Sequence, residues 1–331
     1  MSGPDQAPQA RGAVDEFDLI ARLMRPLAQG APEALNLADD AAVLGARPGQ
    51  DLVVSADMMV EGVHFLPSDP MADVARKLLR VNLSDLAAKG AEPHGYFLSI
   101  AWPTRCGWAE REAFANGLGE DQATFGVTLL GGDTTAISGP LTANVTIVGY
   151  TPERGTVLRS GARPGDVVLV SGAIGDGWLG LQAALAGVQS PALARYRLPE
   201  PRLGLRPVLR QFARAAADVS DGLIADAGHI AEASGLKLEL DLDRVPLSPE
   251  GRAHVDRAAS RADAWLELAS GGDDYEIVLC AAPASVEAAM ALANATGVPL
   301  TPVGRMAEGQ GTKVLFQGRE IRVERAGYRH R

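Results

Sequence analysis

Aspartate recurs in this chain within short segments of small and apolar residues. They are "LADDAAV" around Asp40, "VVSAD" with Ser55 and Asp57, "VNLSDLAAKG" with Asp85, and "LLGGD" with Asp133. "DVSDGL" adds Asp218, Ser220 and Asp221, and "SGGDDYE" adds Asp273 and Asp274. An aspartate is rarely buried without a partner, and these have few basic neighbours along the chain. Carboxylates that converge repel each other: a pair about 4 Å apart costs about 4 kcal/mol at an effective dielectric of about 20. A hard divalent cation removes that repulsion. Oxygen-only sets of Asp and Ser suit Mg²⁺ or Mn²⁺ rather than zinc. Mg²⁺ keeps waters and takes one or two carboxylates together with substrate phosphates, so several such ions fit a polyphosphate such as ATP.

Each segment alone has a plainer reading. Ser220 and Asp221 would cap a helix starting there, "GGD" would be a turn, and "DD" solvated surface. The glycine before Asp133 would let backbone N–H groups approach phosphate. "SGAIGDG", with Gly172, Gly175 and Gly177, would do the same or simply form a tight connection. There is no GxxxxGK[ST] loop and no protein-kinase HRD…DFG set, which excludes both of those enzyme classes. "DLDRVPLSPE" lacks the glycine of a calcium loop, which argues against a calcium-binding module.

Positioning such residues takes a substantial scaffold. With 331 residues the chain is long for one core, so two domains are expected. A net charge of −10 argues against a nucleic-acid surface. Cys106 and Cys280 show neither metal spacing nor a disulfide framework, which fits a reducing cytoplasm. "MSGPDQAPQARG" lacks the apolar core of a secretory signal and reads as a disordered tail over residues 1–12. No apolar stretch approaches bilayer length, so no membrane partner is expected.

Helical periodicity begins at "VDEFDLIARLM", with Phe17, Ile20, Leu23 and Met24 as its apolar stripe. "DLVVSAD" reads as a short buried strand ending at Asp57. The clearest helix of the first half is "DPMADVARKLLRVNLSDLAAKGA", started by Pro70 and Asp73, lined by Val74, Leu78 and Val81, and stopped by Gly90. It carries Asp85 with Asn82 one turn earlier on the same face. "GYFLSIAWP", "VTLLGGD" and "GPLTANVTIVGYT" read as strands around a helix from Trp108. A Gly-, Pro- and Arg-rich connection near residue 152 divides an N-terminal domain, 13–151, from a C-terminal one, 152–331. In the second, "VVLVSG", "LKLELDL" and "DYEIVLCAAP" read as strands, and the segments after Gly175, Asp221 and Ser285 as helices. Strands and helices mix in both halves, an α/β or α+β architecture. Most of the acids then fall at element edges, where a ligand can approach a sheet.

The ordered set "DDAAV", "VEGVHF", "VNLSDLAAKGA", "LLGGDTT", "LRSGARPGD", "DVSDGL", "DAGHI" and "SGGDDYE" resembles the thiamine-monophosphate kinase family. That family lies within the ATP-binding superfamily that includes aminoimidazole ribonucleotide synthetase and selenophosphate synthetase. The resemblance runs from "EFDLIARL" almost to the C-terminus. It implies ATP-dependent phosphorylation of thiamine monophosphate to thiamine diphosphate. It also implies an N-terminal mixed sheet with helices that dimerises, followed by a C-terminal α/β domain. Position by position, it implies that Asp40, Ser55, Asp57, Asp85, Asp133, Asp218 and Asp221 hold several Mg²⁺ ions, with Asp57, Asp133 and Asp221 at the centre of catalysis. Gly132, Arg159 and Ser220 match ATP contacts, and His64 and Asp273 match positions that hold thiamine monophosphate.

Departures from the family pattern are Ala38 in "ADD", Ala56 in place of the usual Thr, and Asp273 in place of the usual Glu. Tyr328, in "AGYRHR", is the aromatic candidate for the thiamine ring. His94, His254 and His330 read as surface residues, and His229 as a packed one. The four tryptophans read as core or dimer contacts. An acceptor phosphate is already anionic at neutral pH, so the implied in-line transfer needs no general base. The rivals are another ATP-using member of the superfamily and a metal-dependent phosphohydrolase. No cysteine precedes Cys106, which argues against the selenophosphate branch.

Overall fold

The computed structural model describes residues 15–328. The expected tail over residues 1–12, and His330, lie outside them. The chain builds two sheets. The first has four strands in the order β1-β4-β2-β3, with β1 Gln50–Val60, β2 Glu92–Pro103, β3 Thr128–Ile137 and β4 Thr142–Pro152. β4 runs antiparallel to β1 and β2, and β3 is parallel to β2. The second sheet has seven strands in the order β11-β10-β7-β9-β5-β8-β6. These are β5 Val167–Ser171, β6 Ala213–Asp218, β7 Lys237–Asp241, β8 Ile277–Ala281, β9 Leu300–Ala307, β10 Gly311–Phe316 and β11 Arg319–Ile321. The two-domain α/β architecture expected from the resemblance is the one observed.

The Met71–Ala88 helix joins the two halves. Val74, Leu78 and Val81 are buried in the first core, as its periodicity requires. Ala87 and Ala88, at its far end, pack in a cluster with Leu209 and Leu279 of the second half. Gly90, at φ 66°, ends it in a left-handed turn, with the Ala91 N–H donating to the Leu86 carbonyl at 2.9 Å. Beyond the helix, Lys89 Nζ donates to the Ala216 carbonyl at 3.1 Å, and Arg210 Nε to the Gly90 carbonyl at 2.7 Å.

Three local expectations are corrected. β1 is an edge strand rather than a buried one. Ser55 and Asp57 turn toward the helices, whereas Leu52, Val54 and Met58 stand exposed on the other face. β1 also continues to Val60, and β3 continues past Asp133 to Ile137, so both aspartates lie within strands and not at their ends. In the first helical segment a wide π turn over Ile20–Met24 rotates the stripe. Leu19, Leu23, Met24 and Leu27 are buried, while Phe17 points to solvent. No described helix is long and apolar enough to cross a membrane.

Candidate active site

Strand β1 is tied to the long helix at Asp57. The Asp57 N–H donates to Asn82 Oδ1 at 2.9 Å, and Asn82 Nδ2 donates to the Leu78 carbonyl at 2.8 Å. From the other side, Asn144 Nδ2 donates to the Asp57 carbonyl at 3.1 Å. Two residues back on the same face, the Ser55 hydroxyl donates to the Asp85 carboxylate. The expected pairing of Asn82 and Asp85 on one helix face thus serves to place β1 against the helix.

Strand β6 delivers Asp218 as its last residue, and a turn carries Ser220 and Asp221 into the Leu223–Ala233 helix. The N-cap position falls on Gly222, which has no side chain to cap with, rather than on Ser220 or Asp221. The buried Asp226 carboxylate reaches back and accepts the N–H groups of Ser220, Asp221 and Gly222 through Oδ2 at 3.0, 3.0 and 3.1 Å. That carboxylate thereby fixes the backbone of the turn that carries Ser220 and Asp221.

The "GGDDYE" segment divides its two aspartates. Gly272, Asp273 and Tyr275 all have left-handed backbone (φ 74°, 66° and 52°). The segment is pinned by Asp273 N–H on the Ser220 carbonyl and Tyr275 N–H on the Val219 carbonyl, both at 2.8 Å. Asp273 reaches Lys77 Nζ at 2.6 Å. Asp274 turns inward and accepts the Gly175 N–H with both oxygens, at 3.0 and 2.9 Å, and the Gly177 N–H at 3.0 Å. The glycines of "SGAIGDG" are therefore a tight connection whose donors are already taken, and they leave none for a phosphate.

A cavity of about 360 Å³ gathers Asp57, Asp85, Asp218, Ser220, Asp221 and Asp273 with His64 and Arg159. His64 Nδ1 accepts the Val60 N–H at 3.0 Å, which fixes the ring at the cavity wall. Burial, and then the neighbouring Asp85 and Asp221, push Asp57 up to about 6. Burial, and then Asp85, Asp226 and Asp57, push Asp218 up to about 8. These are carboxylates held together with too little positive charge. Among the described residues no three acids or histidines stand close enough to hold an ion as a trio. The donor chemistry nevertheless fits Mg²⁺, which takes one or two carboxylates and fills its shell with water and phosphate.

The remaining expected residues stand elsewhere in the single chain. Asp40, Gly132 and Asp133 line a second cavity of about 480 Å³ against β3. The register runs Asp57–Val145–Leu98–Gly132 across the sheet, so Asp133 turns to the opposite face, with Ser99, Asn144 and Met58. Gly132 has no alternative there. Its φ is 152°, and a Cβ would lie 1.8 Å from the Leu98 carbonyl oxygen.

Reading the sequence alone missed Lys77, Tyr196 and Tyr275, which also line the first cavity. For Lys77 a signal existed: Lys77, Val81 and Asp85 repeat every four residues along one stripe of the helix. His94 and His254 are half-buried rather than surface residues. The first packs edge-on against Tyr150, the second against Trp178. His229 is exposed rather than packed, with the Asp226 carboxylate 3.6 Å from its Nδ1. Trp102 is core, as expected.

Residues 38–151 match the family model for the AIR synthase related protein N-terminal domain, and residues 163–317 match that for its C-terminal domain. The chain is similar to a thiamine-monophosphate kinase of Caulobacter vibrioides, with 52% identity over 98% of this chain and 94% of the relative. It is similar to the crystal structure of thiamine-monophosphate kinase from Stenotrophomonas maltophilia, with 38% identity, a TM-score of 0.81, and coverage of 90% of this chain and 96% of that one. It is also similar to the structure of AaThiL complexed with AMPPCP and TMP, with 28% identity, a TM-score of 0.75, and coverage of 95% and 96%.

Proposed function

The chain belongs to the thiamine-monophosphate kinase family, and from that premise we propose that its 360 Å³ cavity is where ATP phosphorylates thiamine monophosphate. The observation that carries this reading is the convergence of Asp57, Asp85, Asp218 and Asp221 from both halves of the chain, with His64 and Asp273 on the same walls. The reaction is a single displacement. An oxygen of the acceptor phosphate forms a bond to the γ-phosphorus of ATP, and the bond from that phosphorus to the β,γ-bridging oxygen breaks. The electron pair leaves on ADP, and thiamine diphosphate is the product. The second pKa of a phosphate monoester is about 6, so the attacking oxygen is anionic at neutral pH and no proton has to be removed.

The work left to the protein is alignment and charge compensation. Ser55, Asp57, Asp85, Asp218 and Asp221 would hold Mg²⁺ in the cavity, and Asp40 and Asp133 complete the proposed set. Magnesium, when bound, cancels the mutual repulsion of these carboxylates and the charge of the phosphates they face. Gly132, Arg159 and Ser220 are assigned to ATP, with the Arg159 guanidinium offering paired donors to a phosphate. His64 and Asp273 are assigned to thiamine monophosphate. Asp57, Asp133 and Asp221 lie nearest the transferred group in this reading.

The open face of the four-stranded sheet supports a homodimer. Leu52, Val54 and Met58 form an apolar row on edge strand β1, which a second copy would cover. Asp133 faces the same side, so its role is proposed to be exercised across that dimer. The test is incubation with ATP, Mg²⁺ and thiamine monophosphate, with thiamine diphosphate assayed directly. Acceptor-dependent formation of thiamine diphosphate is expected. ATP consumption that ignores the acceptor would replace this reading with a phosphohydrolase. An intact enzyme inert toward thiamine monophosphate would move it to another ATP-using member of the superfamily.

A further inference from the structure

Lys77 is buried, with a side chain only 3% exposed, yet it lines the candidate cavity. Among the described residues on that wall, only Lys77 and Arg159 carry a permanent positive charge. Its ammonium group has three donors. One goes to Asp273 Oδ2 at 2.6 Å, and the face of the Tyr196 ring lies 4.0 Å away. No other hydrogen bond from this nitrogen is present among the described residues. A buried donor needs an acceptor, and the cavity is the open space beside it.

Position along the helix says which phosphate that acceptor belongs to. Lys77 and Asp85 share one helical stripe eight residues apart, about 12 Å along the axis. Asp85 stands among the carboxylates assigned to the nucleotide's metal ions. Lys77 stands at the other end, paired with Asp273. We propose that Lys77 binds the phosphate of thiamine monophosphate, sharing its ammonium between that phosphate and Asp273. This deepens the proposed function and rests on it. Lys77 is then the group that distinguishes the phosphorylated acceptor from thiamine itself. Asp273 and Tyr196 hold the ammonium in place while the site is empty, and Asp273 has the further effect of keeping it out of the nucleotide's acidic end.

The competing explanation is a strut, since Lys77 lies on the first half of the chain and Asp273 on the second. The two are separated by the ratio of affinities for thiamine and thiamine monophosphate, measured by calorimetry on the full chain with Mg²⁺ and a non-hydrolysable ATP analogue. A charge-assisted hydrogen bond to phosphate predicts that Lys77→Met weakens thiamine monophosphate binding at least about tenfold. Binding of thiamine, and of the nucleotide analogue, is expected to stay unchanged. Lys77→Arg is expected to recover part of the loss, and Asp273→Asn to weaken thiamine and thiamine monophosphate alike, so that their ratio and binding of the nucleotide analogue stay as in the wild type. A strut predicts that Lys77→Met and Asp273→Asn shift all three ligands together, and that result overturns the proposal. Should Lys77→Met not fold, the double variant Lys77→Gln/Asp273→Asn, which removes both charges, is read in the same way against Asp273→Asn alone. A wild-type enzyme that makes no thiamine diphosphate would refute the proposed function. An active wild type with an unaltered ratio in Lys77→Met would refute only this inference.

Discussion

Asp57 and Asp133 lie on opposite faces of one four-stranded sheet, with strands β4 and β2 between them. Three strand spacings amount to about 14 Å, so within one chain the two carboxylates cannot share an ion. If both act in one reaction, they do so from different copies. In the proposed homodimer, the Asp57→Ala and Asp133→Ala variants should each lose at least about a hundredfold in activity while remaining folded. Mixing the two variants under subunit exchange should restore about a quarter of wild-type activity, because half the dimers are mixed and each mixed dimer has one intact site. Recovery of no activity would place both residues' roles within a single chain.

Asp57 and Asp218 predict how stability without metal depends on pH. Their folded values, about 6 and about 8, lie above the ordinary 3.8 because burial and neighbouring carboxylates disfavour the charged forms. Between those limits the folded chain holds protons that the unfolded chain has released. The slope of unfolding free energy with pH is then negative. Stability from these groups is complete below the ordinary value and is lost as pH rises through the folded ones. The melting temperature of protein stripped with chelator should fall from pH 6 to pH 8.5, and excess Mg²⁺ should remove most of that fall. A flat chelated profile would remove the electrostatic argument for the cation.

The adjacent aspartates of "GGDD" should behave in opposite ways. Asp274→Ala leaves the buried Gly175 and Gly177 N–H groups without an acceptor, and each orphaned donor costs about 1–3 kcal/mol. Its signature is a lower denaturant midpoint. Asp273→Asn keeps shape and hydrogen-bonding capacity, so its signature is a higher KM for thiamine monophosphate with a smaller change in stability. Equal effects on both measures for both variants would contradict the division seen here.

Asp226 touches no ligand in the proposed reading, but it sets the turn that carries Ser220 and Asp221. Asp226→Ala should lower kcat about tenfold or more by loosening that turn. Asp226→Asn, which retains an acceptor oxygen, should recover part of it. Unchanged kinetics in Asp226→Ala would show that Asp221 is positioned by other contacts.

Much of this architecture was legible in the sequence because its signals are local. The Met71–Ala88 helix announces itself by Pro70, the Val74–Leu78–Val81 stripe and Gly90. The ordered aspartate segments pointed to phosphate chemistry. What sequence could not show depends on long-range pairing. The edge position of β1 follows from which strand lies beside it. That Asp273 faces the cavity while Asp274 faces the glycines follows from two left-handed backbone turns, at Asp273 and Tyr275, that no composition reveals. The separation of Asp57 from Asp133 follows from register, where a single step reverses a side chain. Lys77 carries no such local signal of burial, because a lysine on a helix is ordinarily solvated and only the tertiary fold encloses this one.

The helix that enters both cores has a mechanical consequence. Eighteen residues of continuous helix, buried at one end in the first sheet's packing and at the other in the second's, act as a shared axle with no joint. Swinging the two halves apart would therefore pull one end of this helix out of its packing.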